Sequence, residues 1–334
     1  MELAKSRIWP DRPDGAGRAP AAVSTPAAPV PGAGPLAAPA YRQRRPRLFI
    51  DAQHGLGNRL RAVASAAAIA EATDHELVIV WQPDHHCAAR FTDLFRYSGA
   101  VIETAFPGVF ARAGGTLHNY MEVEPGAAKD APVLAGASHR TGGGRTGGDV
   151  YVRSAYVLVS PHLSAARARR FLQGLVPVDA VKGLMRTVRR PNQVAVHVRM
   201  ASGPGFDHLP HEAPDNWPAH RHAEIAAWRA RSHARHFIAR LDRLIAAGGA
   251  ETVFLAADLP ETYAAFAERY GPRVAWLPRD RFDRSAGQLR FALADVLLLG
   301  LSRHFLGSGW STFSELAVTL SPNIRQAEFS GYDF

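Results

Sequence analysis

The chain has 334 residues, of which 47% are apolar and 21% are charged. This composition excludes a collagen-like or wholly disordered protein and allows two domains of ordinary size. The formal net charge is +9, but residues 1–47 contribute +5 of it, so the charge gives little support for a nucleic-acid partner. A single cysteine, Cys87, excludes an internal disulfide and favours a reducing compartment.

No segment approaches the roughly 20 apolar residues that a membrane span requires. We therefore expect no integral membrane segment and a cytoplasmic location. Residues 1–46 hold nine of the 24 prolines and show neither helical nor strand periodicity, which predicts a disordered tail. An organelle-targeting role for this Arg/Ala-rich tail is the alternative.

From Arg47 onward, short β-rich runs alternate with Ala/Leu-periodic segments, which predicts parallel sheets covered by helices. We predict strands at 47–52, 76–81, 150–160, 194–199, 252–257, 274–277 and 304–306. We predict helices at 58–73, 164–173, 179–189, 224–247, 261–269, 286–301 and 311–320. The glycine-dense stretch 114–148 is predicted to be a flexible surface loop. Arg189-Arg190-Pro191-Asn192 indicates a boundary between domains 47–190 and 191–334.

The first motif, Asp51-Ala-Gln-His-Gly-Leu-Gly-Asn-Arg-Leu-Arg61, joins a strand to a long helix. Gly55 and Gly57 allow a tight turn and a close approach to a ligand, and the helix start offers N–H groups to an anion. A dinucleotide fingerprint fails because Leu60 occupies the third glycine position, and no Gly-Lys-Ser/Thr of a Walker loop follows. A plain strand-to-helix turn is an equally good interpretation.

The second motif is His197-Val-Arg199 at the end of a predicted buried strand. Alternate strand residues share a face, so both side chains are expected to project together at the carboxyl edge of the sheet. Ligands bind at that edge in open α/β sheets, and the arginine fork suits a phosphate. The alternative is a structural histidine beside a salt-bridged arginine.

The third motif, Gly307-Ser-Gly-Trp-Ser-Thr-Phe-Ser-Glu315, again joins a strand to a helix. Ser311 or Thr312 can cap the helix and also present donors to a phosphate. Upstream, Asp258 ends a strand and Asp295 lies in a helix, and either carboxylate can accept hydrogen bonds from a base or ribose. For Asp258, capping of the helix that begins near Pro260 is the competing role.

In this order, the motifs G-L-G-N-R-L, H-V-R, A-A-D and S-T-F-S-E-L-A resemble the fucosyltransferase superfamily. That superfamily includes the nodulation and N-glycan core α-1,6-fucosyltransferases and the protein O-fucosyltransferases. The resemblance covers roughly residues 47–320. It implies an α/β protein of GT-B architecture, in which two Rossmann-like domains with mainly parallel sheets face a cleft. It also implies GDP-fucose as the donor substrate, held mainly by the second domain, with the acceptor on the first, and neither a cofactor nor a metal.

The resemblance also implies roles for individual residues. Arg199 matches the arginine that grips the donor diphosphate, and His197 matches the histidine beside it. The other matched positions contact phosphate and nucleotide (Ser311, Thr312 and Phe313), lie near guanosine (Asp258 and Asp295), or form the glycine-rich turn across the cleft (Gly55, Gly57 and Asn58).

Two positions depart from the pattern. Met200 stands where the α-1,6 enzymes carry a second arginine, which removes the basis for assigning that linkage. Ala257 replaces the usual threonine before the aspartate. A base also has to take the proton of the attacking hydroxyl. Some α-1,6 members place a carboxylate in the loop after the H-V-R strand, so Asp207 is the first candidate and Glu212 the second.

Two sets of residues raise the alternatives of a metal site and a nucleic-acid site. Neither His85-His86-Cys87 nor the pair His233 and His236 has the ligand spacing of a zinc site. The arginines of the segment 224–247 fit the solvated face of an amphipathic helix. The resemblance thus implies an inverting, metal-independent glycosyltransferase that transfers fucose from GDP-fucose to a hydroxyl of a glycan or glycoconjugate. A sugar-nucleotide or glycan-binding module without turnover and a GT-B transferase using another nucleotide sugar stay open.

Overall fold

The computed structural model describes residues 45–122, 124–136, 148–188, 192–201 and 218–334. Two five-stranded parallel sheets, one in each half of the chain, form its framework. Among the helices in these ranges, none is both long and apolar enough to cross a membrane. The predicted tail falls almost entirely outside the described residues, as do Asp207, Glu212 and Arg189 to Pro191 of the predicted boundary.

The first sheet has the strand order β4-β2-β1-β6-β5, and all its neighbouring strands are parallel. Its strands are β1 (Arg47–Ala52), β2 (Glu76–Val80), β4 (Ala100–Ile102), β5 (Thr116–Asn119) and β6 (Val150–Ser154). A short antiparallel pair, β3 (Phe95–Arg96) with β7 (Val176–Pro177), lies beside it. Strand β1 is central and almost entirely buried because its run Leu-Phe-Ile-Asp-Ala is covered on both faces.

The second sheet has the order β10-β9-β8-β11-β12 and is also parallel throughout. Its strands are β8 (Val194–Val198), β9 (Val253–Ala257), β10 (Val274–Ala275), β11 (His304–Gly307) and β12 (Gln326–Phe329). Following the chain, β9 and β10 add to one side of β8, and β11 and β12 then add to its other side. The direction in which strands are added therefore reverses between β8 and β11. That reversal is the switch point of a doubly wound fold.

Helices cover both sheets and provide the crossovers that parallel strands require. They are α1 (Leu56–Thr73), α2 (Pro107–Arg112), α3 (Ala165–Gly174), α4 (Asp179–Arg186), α5 (Ala219–Arg231), α6 (Ala234–Ala246), α7 (Pro260–Tyr270), α8 (Ala286–Leu299) and α9 (Thr312–Leu320). Helix α1 packs against α3 and α9, and α4 packs against α8. One hydrophobic cluster therefore runs through both halves of the chain.

The sequence predicted one helix over 224–247, and this was wrong because the segment forms two helices, α5 and α6. Ser232 lies between them, fully buried, and its hydroxyl is 2.8 Å from that of Ser330. His233 then occupies the N-cap of α6, and its side chain accepts from Arg235 N at 3.2 Å. The break is thus made by a tertiary contact that helical periodicity does not reveal.

Three other expectations need correction. Strand β6 ends at Ser154 rather than at residue 160, because the Ser154 hydroxyl accepts from Tyr156 N at 2.9 Å and turns the chain. The predicted loop 114–148 contains the edge strand β5. The edge strands β4 and β12 were also missed. These edge strands are short, and β5 and β12 are partly polar, so they lack the apolar run by which the central strands were recognised.

The N-termini of α1 and α9 meet where the two halves of the chain come together. A Cβ placed on Gly57, in the first turn of α1, lies 2.8 Å from Thr312 Oγ1 and 3.1 Å from the Thr312 carbonyl carbon and oxygen. Real Cβ atoms are essentially never found as close to another heavy atom as this Cβ is to Oγ1, and its two backbone distances are tighter than nine in ten real Cβ contacts. The absence of a side chain at Gly57 therefore allows this contact between the two halves.

Replacing Gly57 with alanine is expected to destabilise the protein. The added methyl group collides with Thr312, and overpacking at a backbone contact outweighs the better helix propensity of alanine, for a net loss of about 1–2 kcal/mol in the free energy of unfolding. Urea denaturation followed by circular dichroism measures this loss.

Gly55→Ala is the matched control, two residues earlier. A Cβ at Gly55 has no heavy atom within 4 Å among the described residues, and the backbone φ is −72°. We expect Gly55→Ala to cost less than about 1 kcal/mol, through the weaker N-cap preference of alanine. Equal losses from both substitutions would contradict the packing role of Gly57.

Candidate functional site

Ser308 joins the carboxyl ends of β8 and β11 at the switch point of the second sheet. Its hydroxyl accepts from the backbone N–H of Arg199 at 2.8 Å and donates to the carbonyl of His197 at 3.1 Å. Ser308 is fully buried. The ends of the two strands are therefore tied together at the edge where open parallel sheets bind ligands.

Arg199 forms a charge-paired unit with Asp258, which follows β9. Its Nη1 donates to the Asp258 carboxylate and, at 2.5 Å, to the carbonyl of Ala201. The same carboxylate accepts from the backbone N–H of Met200 at 3.0 Å and of Ala201 at 2.9 Å. Burial alone raises the pKa of Asp258, but Arg199 and these N–H donors outweigh it and hold the pKa below its usual value.

This pairing resolves one of the alternatives that the sequence left open. Helix α7 begins at Pro260, and Leu259 occupies its N-cap. Asp258 is therefore not the helix cap. Its carboxylate instead fixes the orientation of the Arg199 guanidinium plane, since a guanidinium presents its donors in a rigid planar fork.

His197 lies inside the second half, on β8. Its Nδ1 is 2.7 Å from the hydroxyl of Ser314, and its ring stacks on Phe313 at a centroid distance of 4.7 Å. Burial lowers the pKa of His197 to about 3, so the ring is neutral at physiological pH. A neutral ring stacked on Phe313 forms a flat, rigid wall beside the carboxyl end of β8.

The start of α9 presents backbone N–H groups to the cleft. Ser311 occupies the N-cap, is nearly buried, and makes no side-chain capping bond within the described part of the chain. The intrahelical bonds begin with Glu315 N donating to Ser311 O at 3.1 Å. The N–H groups of Thr312, Phe313 and Ser314 therefore precede the first helical hydrogen bond, and such groups suit an anion.

Asp295 lies on α8 and is paired with Arg279. Arg279 Nη2 donates to Asp295 Oδ2 at 2.7 Å, and both side chains are almost completely buried. The other oxygen, Oδ1, is buried and accepts no hydrogen bond from any described residue. Burial dominates over the charge of Arg279 and raises the pKa of Asp295 to about 6. Asp295 thus holds an unsatisfied buried acceptor at the edge of the cleft, which marks it as a candidate ligand contact.

The opposite wall comes from the carboxyl ends of β1 and β6. Arg153 Nη1 donates to Asp51 Oδ2 at 2.9 Å, and its Nε and Nη2 bind both oxygens of Glu124 at 2.9 and 2.8 Å. The Tyr151 hydroxyl donates to Asp51 Oδ2 at 3.1 Å. Asp51 is fully buried, so this residue of the first motif anchors Arg153 rather than facing a ligand.

His54, Gly55 and Asn58 line the cleft on this wall. His54 has a positive φ of 64°, and burial followed by the nearby charge of Arg61 lowers its pKa to about 4. Gly57 also reaches the cleft, although its nearest neighbour is Thr312. The first motif therefore supplies a neutral imidazole and a helix N-terminus to the cleft.

These two walls enclose a cleft of about 1110 Å³. Among its described lining residues, eight basic side chains face seven carboxylates. The basic ones are Arg61, Lys129, Arg153, Arg199, Arg221, Arg229, Arg279 and Arg284, and the acidic ones are Asp84, Glu122, Glu124, Asp258, Asp283, Asp295 and Glu315. Such a near balance is unlike the strongly basic groove of a nucleic-acid-binding protein.

The structure brings together most of the residues that the sequence singled out. His197, Arg199, Asp258, Asp295, Ser311, Thr312, Phe313, Gly55, Gly57 and Asn58 all line this one cleft. The base candidates Asp207 and Glu212 lie outside the described residues. Within the described ranges, no cluster of three or more His, Cys, Asp or Glu side chains has the geometry to hold a metal ion.

Two parallel sheets of this topology that share one cleft define the GT-B type of α/β fold, and comparison with solved structures agrees. The NodZ α-1,6-fucosyltransferase soaked with GDP-fucose superposes with a TM-score of 0.52 at 17% identity, covering 83% of this chain and 94% of that one. A second structure, fucosyltransferase NodZ from Bradyrhizobium, gives 0.51 at 16% identity and covers 84% and 95%. A third, POFUT1 in complex with GDP-fucose, gives 0.49 at 14% identity and covers 88% and 100%.

At these identities the likeness establishes the fold. The chain has the GT-B fold of the NodZ fucosyltransferases, which confirms the fold class and the resemblance inferred from its motifs. No protein-family profile matches the sequence, and no curated protein matches it.

Sequence reasoning missed several residues that hold the site together. Ser308 and Ser314 position Arg199 and His197 through hydrogen bonds, and Arg279 is the partner of Asp295. The two serines belong to the third motif and could have been found as polar residues between buried ones. Arg279 carries no such signal, because its partner is 16 residues away on another element.

The buried His197 is expected to make the protein less stable in mild acid. Its pKa is about 3 in the folded state and about 6.5 when unfolded, so the unfolded chain takes up the proton first as the pH falls. Between pH 7 and pH 5 this difference removes about 2 kcal/mol from the free energy of unfolding. Urea denaturation at the two pH values measures it.

His197→Asn is the matched variant, because an asparagine can still bond Ser314 but does not titrate. We expect wild type to lose about 2 kcal/mol more than this variant between pH 7 and pH 5. The same pH dependence in both proteins would show that His197 does not stay neutral in the fold.

Proposed function

We propose that the chain is an inverting glycosyltransferase that transfers fucose from GDP-fucose to a hydroxyl of a glycan or glycoconjugate. The observation that carries the proposal is the convergence of the N-termini of α1 and α9 beside Arg199. Each helix N-terminus carries about half a positive charge. Two such ends in contact, next to a guanidinium, favour a compact anion such as a diphosphate.

Breaking the bond between a sugar and a diphosphate develops positive charge at the anomeric carbon and negative charge on the departing phosphate. Donors that are already aimed at the phosphate stabilise this charge without reorganisation. Asp258 and Ser308 fix Arg199 from two sides, and the first N–H groups of α9 are fixed by the helix itself. In this proposal these groups neutralise the leaving diphosphate, a task that a divalent metal performs in other transferases.

The nucleoside end of the donor is proposed to lie toward Asp295. A guanine presents an N–H and an amino group side by side, and the unpaired Oδ1 of Asp295 can accept one of them. The stacked rings of His197 and Phe313 offer a flat surface on the same side of the cleft. The NodZ structure soaked with GDP-fucose supports the choice of donor by analogy of fold.

The first half of the chain is proposed to hold the acceptor, whose attacking hydroxyl must lose a proton. Asp207 is our first candidate for the base and Glu212 the second, both from the segment that follows β8 in the sequence. The identity of the sugar bound to GDP and the class of acceptor are parts of this same proposal.

A nucleotide panel tests the donor site. We expect GDP and GDP-fucose to bind and to stabilise the protein, by about 2.7 kcal/mol at 100 times the dissociation constant, whereas UDP and NAD do not. Calorimetry measures the dissociation constant, and thermal-shift experiments measure the stabilisation. Arg199→Ala and Arg199→Lys are each expected to weaken GDP binding at least tenfold, since lysine keeps the charge but lacks the planar fork.

Arg269→Ala is the control, because Arg269 pairs with Asp242 on the surface and does not line the cleft. It is expected to bind GDP like wild type. Binding of GDP-fucose without hydrolysis or transfer would favour a binding module, and preference for another nucleotide sugar would favour a different GT-B transferase. Absence of guanine-nucleotide binding would contradict the proposal.

The pKa of Asp295, about 6, predicts a pH-dependent affinity for the donor. An ionised carboxylate accepts from guanine better than a protonated one. The affinity for GDP-fucose is therefore expected to be constant above pH 7 and to fall about tenfold per pH unit below pH 6. GDP-fucose is the appropriate ligand because its diphosphate lacks the terminal phosphate ionisation near pH 6.

A change of ligand provides the control and leaves the buried ion pair intact. ADP has neither the N–H nor the amino group at the guanine positions, so it is expected to bind at least tenfold more weakly than GDP at pH 7.5, where the terminal phosphates of both nucleotides are ionised. If GDP and ADP bind equally well, Asp295 does not recognise the base.

A further inference from the structure

Trp310 has a backbone conformation that is unusual for a bulky residue. It lies in the turn between β11 and α9 with a φ of +52°. A side chain with a Cβ is strained in this left-handed region, and for a large aromatic residue the conformation is a true outlier. Such residues persist only where the surroundings fix the backbone, and they cluster at ligand-binding sites.

The surroundings of Trp310 do fix its backbone. The N–H of the preceding Gly309 donates to Ser330 Oγ at 3.2 Å, and Ser330 is in turn 2.8 Å from Ser232. Gly309 lies so close to the Ser330 carbonyl and the Trp228 ring that no side chain fits there. The C-terminal segment and the junction of α5 and α6 thus hold the turn in place.

The indole of Trp310 does not contribute to a core. Among the described residues it belongs to none of the three hydrophobic clusters, stacks on no ring and donates no hydrogen bond from Nε1. Trp81, by contrast, is fully buried and donates from Nε1 to Ala89 O at 2.9 Å. Trp310 is half-buried and lines the cleft. Packing therefore does not explain a tryptophan in this strained position.

The position of Trp310 limits what it can contact. Consecutive Cα atoms are 3.8 Å apart, so Trp310 lies directly beside Ser311, at the proposed diphosphate end of the donor. Asp295, at the proposed nucleobase end, belongs to another element. A ligand group that contacts the indole is consequently either the donor sugar, next to the diphosphate, or the acceptor that attacks the donor sugar.

We propose that Trp310 is a carbohydrate platform, on which a neutral pyranose of the acceptor stacks with its apolar C–H face. A pyranose combines an apolar face with a polar rim. An indole packs its large apolar surface on the apolar face and donates a hydrogen bond from its N–H to the polar rim. Glu122, from the other half of the chain, also lines the cleft, and its carboxylate can accept hydrogen bonds from sugar hydroxyls. The inference rests on the proposed function, because it assigns the acceptor side of the same cleft.

Saturation-transfer NMR on the full chain tests the platform, with and without GDP. The probes are the methyl β-glycosides of glucose, galactose and N-acetylglucosamine and methyl α-mannoside. We expect at least one of them to bind wild type, with saturation strongest on the ring C–H protons of one face. Trp310→Phe is expected to keep this binding within about threefold, and Trp310→Gly to weaken it at least tenfold.

Thermal stability separates a ligand platform from a packing residue. Because glycine adopts positive φ without strain, Trp310→Gly is expected to melt at or above the temperature of wild type. Asp74→Gly calibrates this effect on the melting temperature, since Asp74 has a φ of +57° at the end of α1. This substitution is expected to leave saccharide binding unchanged. A markedly lower melting temperature for Trp310→Gly would identify a packing residue and overturn the inference.

The saccharide outcomes are equally decisive. Failure of all four glycosides to bind wild type, or equal binding by wild type and Trp310→Gly, overturns the platform. GDP binding is measured by calorimetry on the same samples. If GDP binds to wild type and no glycoside does, the platform is overturned and the proposed donor site stands. If GDP does not bind to wild type, the proposed donor site is contradicted.

Discussion

The contact between Gly57 and Thr312 brings the N-termini of α1 and α9 together where the two halves of the chain meet, and the proposed anion site depends on it. A side chain at Gly57 would push α1 away from α9. With glycine there, the N-terminal ends of two helices from different halves lie side by side. The first turn of α1, which the structure describes in full, contains no acidic residue, whereas that of α9 contains Glu315. The positive end of α1 therefore has no acidic side chain in its own first turn to balance it, which favours a ligand anion at this point.

The second sheet then places one cation at this point with little freedom to move. Arg199 follows the central strand at the switch point, Ser308 holds its backbone, and Asp258 holds its guanidinium. Removing water from charged groups is costly unless each is bonded, and the network around Asp258 meets that condition with Arg199 and two backbone N–H donors. A preorganised cation of this kind is what the departure of a diphosphate requires.

The sequence was informative where function follows from local order along the chain. The central strands are continuous apolar runs, so the α/β class, the strand end that carries His197 and Arg199, and the helix start at Ser311 could be predicted. Contacts between distant segments could not. The break between α5 and α6 depends on Ser330, and the pairing of Asp258 with Arg199 replaces a helix cap that fitted the local sequence equally well. The closeness of Gly57 to Thr312 has no local signal, because it joins residues from opposite halves.

A crystal structure of the complex with GDP is the most direct test of the account. We predict that the β-phosphate accepts hydrogen bonds from Arg199 and from the first N–H groups of α9, at Thr312 and Phe313. We also predict that guanine donates to Asp295. A diphosphate bound instead among Arg61 and Lys129 on the opposite wall, with the start of α9 making no contact to it, would contradict the central claim that the two converging helices and Arg199 form the donor site.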